Sequence, residues 1–304
     1  MDAEKHGQTM NIMDSAIISQ DGRAAGRDSV IGAGRSVDIG MLVLVYLVSA
    51  LSLLGFAVFR LRPELLQTMP EAVPVYARMF VVAPRAQILL AFAALCWILV
   101  RHAGLRWLPA FIAVYLLSLG SELAGTTVGF PFGPYRYTDA LGVKVFDHVP
   151  ALIPLSWFFM ALPSYAIARR RYPQPGRAVR RIVVGSLVLL SWDLALDPAM
   201  SLVTSYWVWG AQGPYYGMPL LNLVGWYVTG LVLMGTLAAL RVDGWIASLP
   251  LGWLVAFYGA NLLLPVGMSL AAGLAGAVAA TAVALVACAL ITRVPATATG
   301  RTAP

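Results

Sequence analysis

The feature that limits this chain most is a recurring apolar run of about twenty residues, the length a helix needs to cross the ~30 Å hydrocarbon core of a bilayer. Eight candidates are legible: Ile39–Phe59, Pro84–Val100, Trp107–Ala124, Val149–Ala168, Ile182–Leu202, Pro219–Leu240, Trp245–Leu264 and Met268–Thr292. The second is short between Arg85 and Arg101, so it is expected to begin earlier, near Tyr76. In hydrocarbon a spanning segment must satisfy its own backbone N–H and C=O groups, which a helix does. The expected fold class is therefore all-α, a polytopic transmembrane helix bundle of seven to eight helices. Composition agrees: 12% of the 304 residues are charged, against ~25% in soluble domains.

Residues 1–38 are polar, mixed in charge and rich in Gly, Ala and Ser, with no apolar stretch of signal-peptide type. They are expected to form a disordered tail, followed by a transmembrane domain over 39–292 and a second disordered tail over 293–304. No repeat period stands out. Cys96 and Cys288 sit within apolar runs without a Cys or His at metal spacing, which makes them small core residues. His6, His102 and His148 are scattered between the tail and two loops, and GxxxxGK[ST], GxGxxG and HExxH motifs are absent. No metal site or cofactor is expected. His148, beside Asp147, borders one of the unusual loops described next, where an interfacial histidine is the simpler reading.

The net charge of +7 is a topology signal. Arg101 and Arg106 bracket one short loop, and RRRYPQPGRAVRR (169–181) holds six arginines. Both are cytoplasmic by the positive-inside rule. Alternation then puts the N-terminus, Arg241 and the C-terminus inside, with fifteen of the 21 Lys and Arg residues. This describes a multi-pass protein of the cytoplasmic membrane and excludes a nucleic-acid surface. Two long loops fall on the extracytoplasmic side: TTVGFPFGPYRYTDALGVKVFDHVPALIP (126–154) and TSYWVWGAQGPYYGMP (204–219). Both are rich in aromatics, Gly and Pro, as an interfacial aromatic belt also is. In the first, Arg136 and Asp139 are expected to pair with each other.

Three carboxylates lie beneath those loops. Glu122 is 16 residues from Arg106, and Asp197 is 16 from Arg181, each ~24 Å along a helix; Asp193 lies one turn deeper at ~18 Å. An ionisable side chain at that depth costs roughly 2.5–3.5 kcal/mol on insertion scales and marks a functional site by default. The bland alternative is hydrogen bonding between helices by neutral carboxyls. Asp193 and Asp197 share a helix face. Pro198 is expected to bias Asp197 away from the helical conformation, ending or kinking the helix at a cavity.

DLALD fits a D-x-x-x-D magnesium–diphosphate pattern, but the second acidic cluster and a phosphate-gripping base are missing. Carboxyls and aromatics without a metal suit proton addition to an isolated alkene. A carboxyl out of water can stay neutral and act as the acid, and a trisubstituted alkene then gives a tertiary cation that aromatic faces stabilise by ~2 kcal/mol or more. Trp157, Phe158, Trp192, Tyr206, Trp207, Trp209, Tyr215, Tyr216 and Trp226 are available. Hydration, cyclisation and isomerisation all start from that cation, and a non-catalytic pigment or lipid carrier would use the same cavity. A transporter would show broken helices in both halves, whereas the irregular segments here cluster in one region.

The strings GSELAGTTVGFPFGPYRYTDALG (120–142), VPALIPLSWFFMALPSY (149–165), SWDLALDPAMS (191–201) and YWVWGAQGPYYGMPLLNLVGWYVTG (206–230) resemble the carotenoid 1′,2′-hydratase family of CruF type, integral membrane proteins of carotenoid biosynthesis. The match covers the middle third of the chain. The resemblance implies cofactor-independent addition of water to the terminal double bond of an acyclic or monocyclic carotenoid, giving a tertiary 1′-hydroxy group. It selects hydration among the three outcomes. The partners it implies are a carotenoid, water, the lipid bilayer and other enzymes of the pathway. Roles follow from position: Asp193 as proton donor, Asp197 or Glu122 acting on the water, Tyr135, Tyr137 and Asn222 holding it, and Trp192, Trp207 and Trp226 lining the cation. Trp157, Phe158, Tyr206 and Tyr216 complete the expected substrate wall.

Overall fold

A computed structural model describes residues 34–292. Of the tails expected over 1–38 and 293–304, residues 1–33 and 293–304 lie outside the described residues. The chain divides into two compact units, one ending at Val43 and one beginning at Leu44. Everything below except the first ten described residues belongs to the second.

Ten helices are described. Six are long and apolar enough to cross a membrane: α1 (Gly34–Arg60), α3 (Ala72–Ala103), α4 (Leu108–Val128), α6 (Ala178–Asp197, with its extensions), α7 (Leu220–Ala239) and α9 (Leu251–Ala271). Two more are of similar length, α5 (Ile153–Arg171) and α10 (Ala275–Thr292), and two are short, α2 (Glu64–Thr68) and α8 (Asp243–Ile246). The eight runs read in the sequence thus correspond to the eight long helices. Boundaries moved where backbone chemistry overrides apolarity. The α1 helix already includes residues 34–38. The α9 helix starts after the extended Pro250 rather than at Trp245, which lies in α8. It ends at Ala271, before the left-handed Gly273, where φ is 76°.

The α6 helix is the most enclosed of the six spans, with 67% of its apolar window buried against 17–44% in the others. Beside it, α5 is buried without interruption from Trp157 to Ala166, as a helix surrounded by others must be. The aromatic loops meet above these two. Strand β1 (Tyr135–Tyr137) pairs antiparallel with β4 (Trp207–Trp209), and a second small ribbon joins β2 (Lys144–Val145) to β3 (Val149–Pro150). At the arginine-rich end, Asp243 receives Arg169 Nε at 3.2 Å and Arg181 Nη2 at 2.9 Å. The Tyr165 hydroxyl donates to the same carboxylate at 3.2 Å.

Candidate active site

The site is built from α4, α5, α6 and α7 and closed by the β1–β4 ribbon. Tyr135 lies opposite Trp209 and Tyr137 opposite Trp207. Alternation along a strand sends these four rings to one face and Arg136 and Val208 to the other, and Tyr135 and Tyr137 are buried while Arg136 is exposed.

Glu122 on α4 is buried and receives three donors. Trp157 Nε1–H donates to Oε1 at 2.8 Å, the Tyr137 hydroxyl to Oε2 at 2.8 Å, and the Tyr135 hydroxyl to the same Oε2 in a short contact. Burial, and then the nearby Glu122, hold both phenols well above their ordinary pKa, so they stay protonated and donate. Three donors on two oxygens are what an ionised carboxylate accepts.

The loop reaches Glu122 because two helices carry glycine at its landing points. A Cβ on Gly125 would lie 2.8 Å from both Phe132 Cδ2 and Tyr135 Cε1, and one on Gly225 would lie 2.6 Å from the Pro131 carbonyl oxygen. These are closer than carbon atoms approach, so the two glycines admit the FPFGPY segment (130–135) between α4 and α7.

Asp193 and Asp197 on α6 are wholly buried. Asn222 on α7 spans them: its Nδ2 donates to Asp197 Oδ2 in a short contact and reaches Asp193 Oδ2 at 3.3 Å. Trp207 Nε1–H donates to Asp197 Oδ1 at 2.7 Å. Asp193 Oδ1 meets no donor among the described residues. Pro198 acts differently from the expectation. Asp197 stays helical, at φ −59° and ψ −51°, and the chain continues as a π-helix over Pro198–Val203. A proline lacks the N–H and crowds the preceding turn, and widening that turn accommodates it without ending the helix. Such π segments recur at functional sites.

Two cavities meet here. A small one of about 40 Å³ is walled by Glu122, Asp197, Asn222, Tyr135, Tyr137, Trp157, Trp207 and Trp226, together with Phe132, Trp209, Ile153, Ser156 and Leu196. It has room for roughly two or three waters. The second, about 700 Å³ and mainly apolar, includes Trp192, Tyr206 and Trp207 in its wall. Ile153, Ser156, Leu196 and Trp207 belong to both. Trp157 stacks on Trp226 at 4.0 Å, and Trp226 meets Trp192 edge-on at 5.9 Å.

Some expected residues lie elsewhere. Phe158 packs among Phe92, Trp107 and Phe111, and Tyr216 lies against Tyr215 and Gly276; neither lines either of these two cavities. Asp193 sits behind Asp197, on neither cavity wall. Asp139 pairs with Lys144 at 2.7 Å, not with Arg136, because the turn after β1 brings Lys144 Nζ onto both Asp139 and the Tyr137 carbonyl. His148 is exposed in the turn before β3. Sequence reasoning missed Phe132, Ile153, Ser156 and Leu196. Phe132 had a signal, since it lies within the same Gly/Pro/aromatic string as Tyr135; the other three look like ordinary helix residues. Among the described residues, no group of three His, Cys, Asp or Glu side chains is placed to hold a metal ion.

Fold and geometry together define a polytopic membrane protein with buried carboxyls beside an apolar cavity. Residues 84–288 match the family described as carotenoid biosynthesis protein, and the chain belongs to that family. Over 134 residues it is 31% identical to bisanhydrobacterioruberin hydratase of Haloarcula japonica. That alignment covers 43% of this chain and 43% of the relative, so the chain spans less than half of the relative's length. No solved structure matches.

Proposed function

We propose that the protein is a carotenoid 1′,2′-hydratase that adds water to the terminal trisubstituted double bond of an acyclic or monocyclic carotenoid. The observation that carries this reading is the junction of the two cavities. A small pocket bearing Glu122 and Asp197 shares the wall of the apolar cavity at Trp207, Leu196, Ile153 and Ser156. Water and an alkene end thus have separate rooms with a common boundary. The Haloarcula japonica relative is named a bisanhydrobacterioruberin hydratase.

The Asp193–Asp197 pair holds one proton. Two carboxyls that share one amide donor, with no cation on either, do not both ionise in a buried site. Asp197, the member on the wall of the small pocket, gives its proton to the less substituted carbon of an alkene end that reaches past the shared wall at Leu196 and Trp207. The π bond supplies the electron pair, and a tertiary cation forms on the more substituted carbon, facing the Trp207 and Trp226 rings. A water in the small pocket adds through oxygen to that carbon and loses a proton to Glu122. The proton returns to Asp197 through the pocket both residues line, so alkene and water leave as one tertiary alcohol. Asp193, expected from depth to be the donor, becomes the proton-sharing partner of Asp197. The orientation proposed from the arginines places this site in the extracytoplasmic half of the cell membrane, with the N-terminus in the cytoplasm. No cofactor enters the scheme, and the partners are the carotenoid, water, the bilayer and neighbouring pathway enzymes.

The test is expression of the wild type, Asp197→Asn, Asp193→Asn and Glu122→Gln in cells that accumulate lycopene or γ-carotene, with pigments read by mass spectrometry. The wild type is expected to add the mass of one water and Asp197→Asn to lose that gain at equal membrane expression. Unchanged pigment in wild-type cells would refute the substrate assignment. A new pigment of unchanged mass would mean cyclisation or isomerisation by the same acid.

A further inference from the structure

The apolar cavity is elongated. Its wall runs along α3 from Ala72 to Ile88 and along α1 from Val48 to Phe59, ~24 Å and ~16 Å at the helical rise. It is therefore a slot parallel to two helices, with its inner end at Trp192, Leu196 and Trp207. Four of its wall residues also face outward from the bundle: Leu51 is 66% exposed, Val75 61%, Met79 46% and Val82 44%. They lie on both sides of the gap between α1 and α3, and all are apolar. An opening with such a rim faces lipid tails, where a polar lining would be costly.

Two further observations mark this gap as built. Both π segments contribute to the slot, Phe56–Arg60 through Phe56 and Phe59 and Pro198–Val203 through Met200. Their ends are joined where Arg60 Nη2 donates to the Val203 carbonyl at 3.3 Å. At Gly55, which also lines the slot, an added Cβ would meet nothing within 4 Å. Its backbone is ordinary helix, φ −59° and ψ −41°, so the turn does not require glycine. What glycine supplies there is width.

We infer that this slot is the binding site for the polyene chain, entered sideways from the bilayer between α1 and α3, and that Gly55 sets its bore. The inference rests on the hydratase reading for the identity of the occupant, a rod-shaped isoprenoid with its alkene end at Trp207. The aromatic series Phe59–Tyr76–Phe80–Tyr206, with ring centroids 5.4–6.4 Å apart, lines the path toward Trp207.

The experiment uses the full chain in lipid nanodiscs, with Gly55→Phe, Gly235→Phe and the wild type. Lycopene binding is read from quenching of tryptophan fluorescence, since Trp192 and Trp207 line the slot. Hydration is read on lycopene and on a short isoprenoid alkene with the same trisubstituted end. Gly55→Phe is expected to weaken lycopene binding at least tenfold and to lower hydration of lycopene at least tenfold more than that of the short alkene, while Gly235→Phe, on α7 where an added Cβ meets nothing within 4 Å, lowers neither. Lycopene bound and hydrated normally by Gly55→Phe would overturn the slot, as would equal loss on long and short substrates. Wild type that binds lycopene, loses it in Gly55→Phe and hydrates neither substrate would uphold the slot and reject the hydratase reading.

Discussion

The bundle holds acids at both ends and treats them oppositely. At the arginine-rich end Asp243 is clamped by Arg169 and Arg181 and by the Tyr165 hydroxyl. At the loop end Glu122, Asp193 and Asp197 receive indole, phenol and amide donors. A carboxylate bridged by two guanidiniums and a phenol fixes three helices to one another. Carboxyls held by neutral donors keep their charge adjustable, and the aromatic rings that supply those donors also form the walls of a cavity. The difference separates an acid that ties the fold from acids that can do chemistry.

The sharpest way to break that contrast is to neutralise one acid at each end. Asp197→Asn keeps an oxygen for Trp207 Nε1–H, so the ribbon should stay docked while the proton is lost. Hydration is expected to fall by ~10²–10⁴-fold, the usual worth of a general acid, with thermal stability close to wild type. A variant that still hydrates at more than a tenth of the wild-type rate would move the donor role to Glu122.

At the other end the effect should fall on folding. Arg181 is buried and bonds the Tyr172 and Gln174 carbonyls as well as Asp243. Breaking a buried pair costs ~3–5 kcal/mol, and the low end applies because the Asp243 side chain is 31% exposed. Arg181→Met should therefore lower the melting temperature in detergent markedly and leave turnover per folded molecule unchanged. Loss of turnover with no loss of stability would undo the division between the two ends.

The two ends were not equally legible in the sequence. The eight long helices followed from apolar length alone, because lipid leaves the backbone few choices. Glu122, Asp193 and Asp197 stood out because carboxylates are costly at that depth, and the loop strings gave Tyr135, Tyr137 and Trp207. The slot was not legible. Gly55, Leu51 and Met79 look like any lipid-facing residues, and only the gap between α1 and α3 gives them a role. Phe158 and Tyr216 lie away from both cavities for different reasons: Phe158 turns to Phe92, Trp107 and Phe111 from a helix buried all round, where periodicity is weak, and Tyr216 sits in the turn before α7 at φ 52°. Proline chemistry was half legible, since Pro198 marks the right place but widens the helix rather than ending it.

A smaller effect tests how the ribbon is seated. Gly125→Val would push atoms against Phe132 and Tyr135, where even a Cβ lies 2.8 Å from both. Overpacking of this kind costs ~1–3 kcal/mol, and displacing the Tyr135 hydroxyl from Glu122 should slow hydration by roughly ten- to a hundredfold. Gly235→Val on α7 is the control, since a Cβ there meets nothing within 4 Å. Equal behaviour of the two variants would mean that the close approach at Gly125 has no bearing on the site.

The smallest effect belongs to the ion pair outside both regions. Asp139 and Lys144 bond at 2.7 Å, but the Asp139 side chain is 98% exposed. Hydrogen bonding to the Lys144 ammonium, and then its charge, lower the Asp139 pKa below the ordinary carboxylate value. A depressed folded-state pKa contributes stability that is present above the unfolded pKa and fades as pH falls through the lowered one. Solvent screens an exposed pair of this kind almost completely. Asp139→Asn and the wild type should therefore melt together at neutral pH, and any small gap should close on acidification. Lys144 also bonds the Tyr137 carbonyl at 2.9 Å, so Lys144→Ala tests whether the turn holds β1 in place independently of the ion pair. A clear loss of hydration in Lys144→Ala, with Asp139→Asn unaffected, would extend the working end of the molecule from the ribbon's buried face to the turn that follows it.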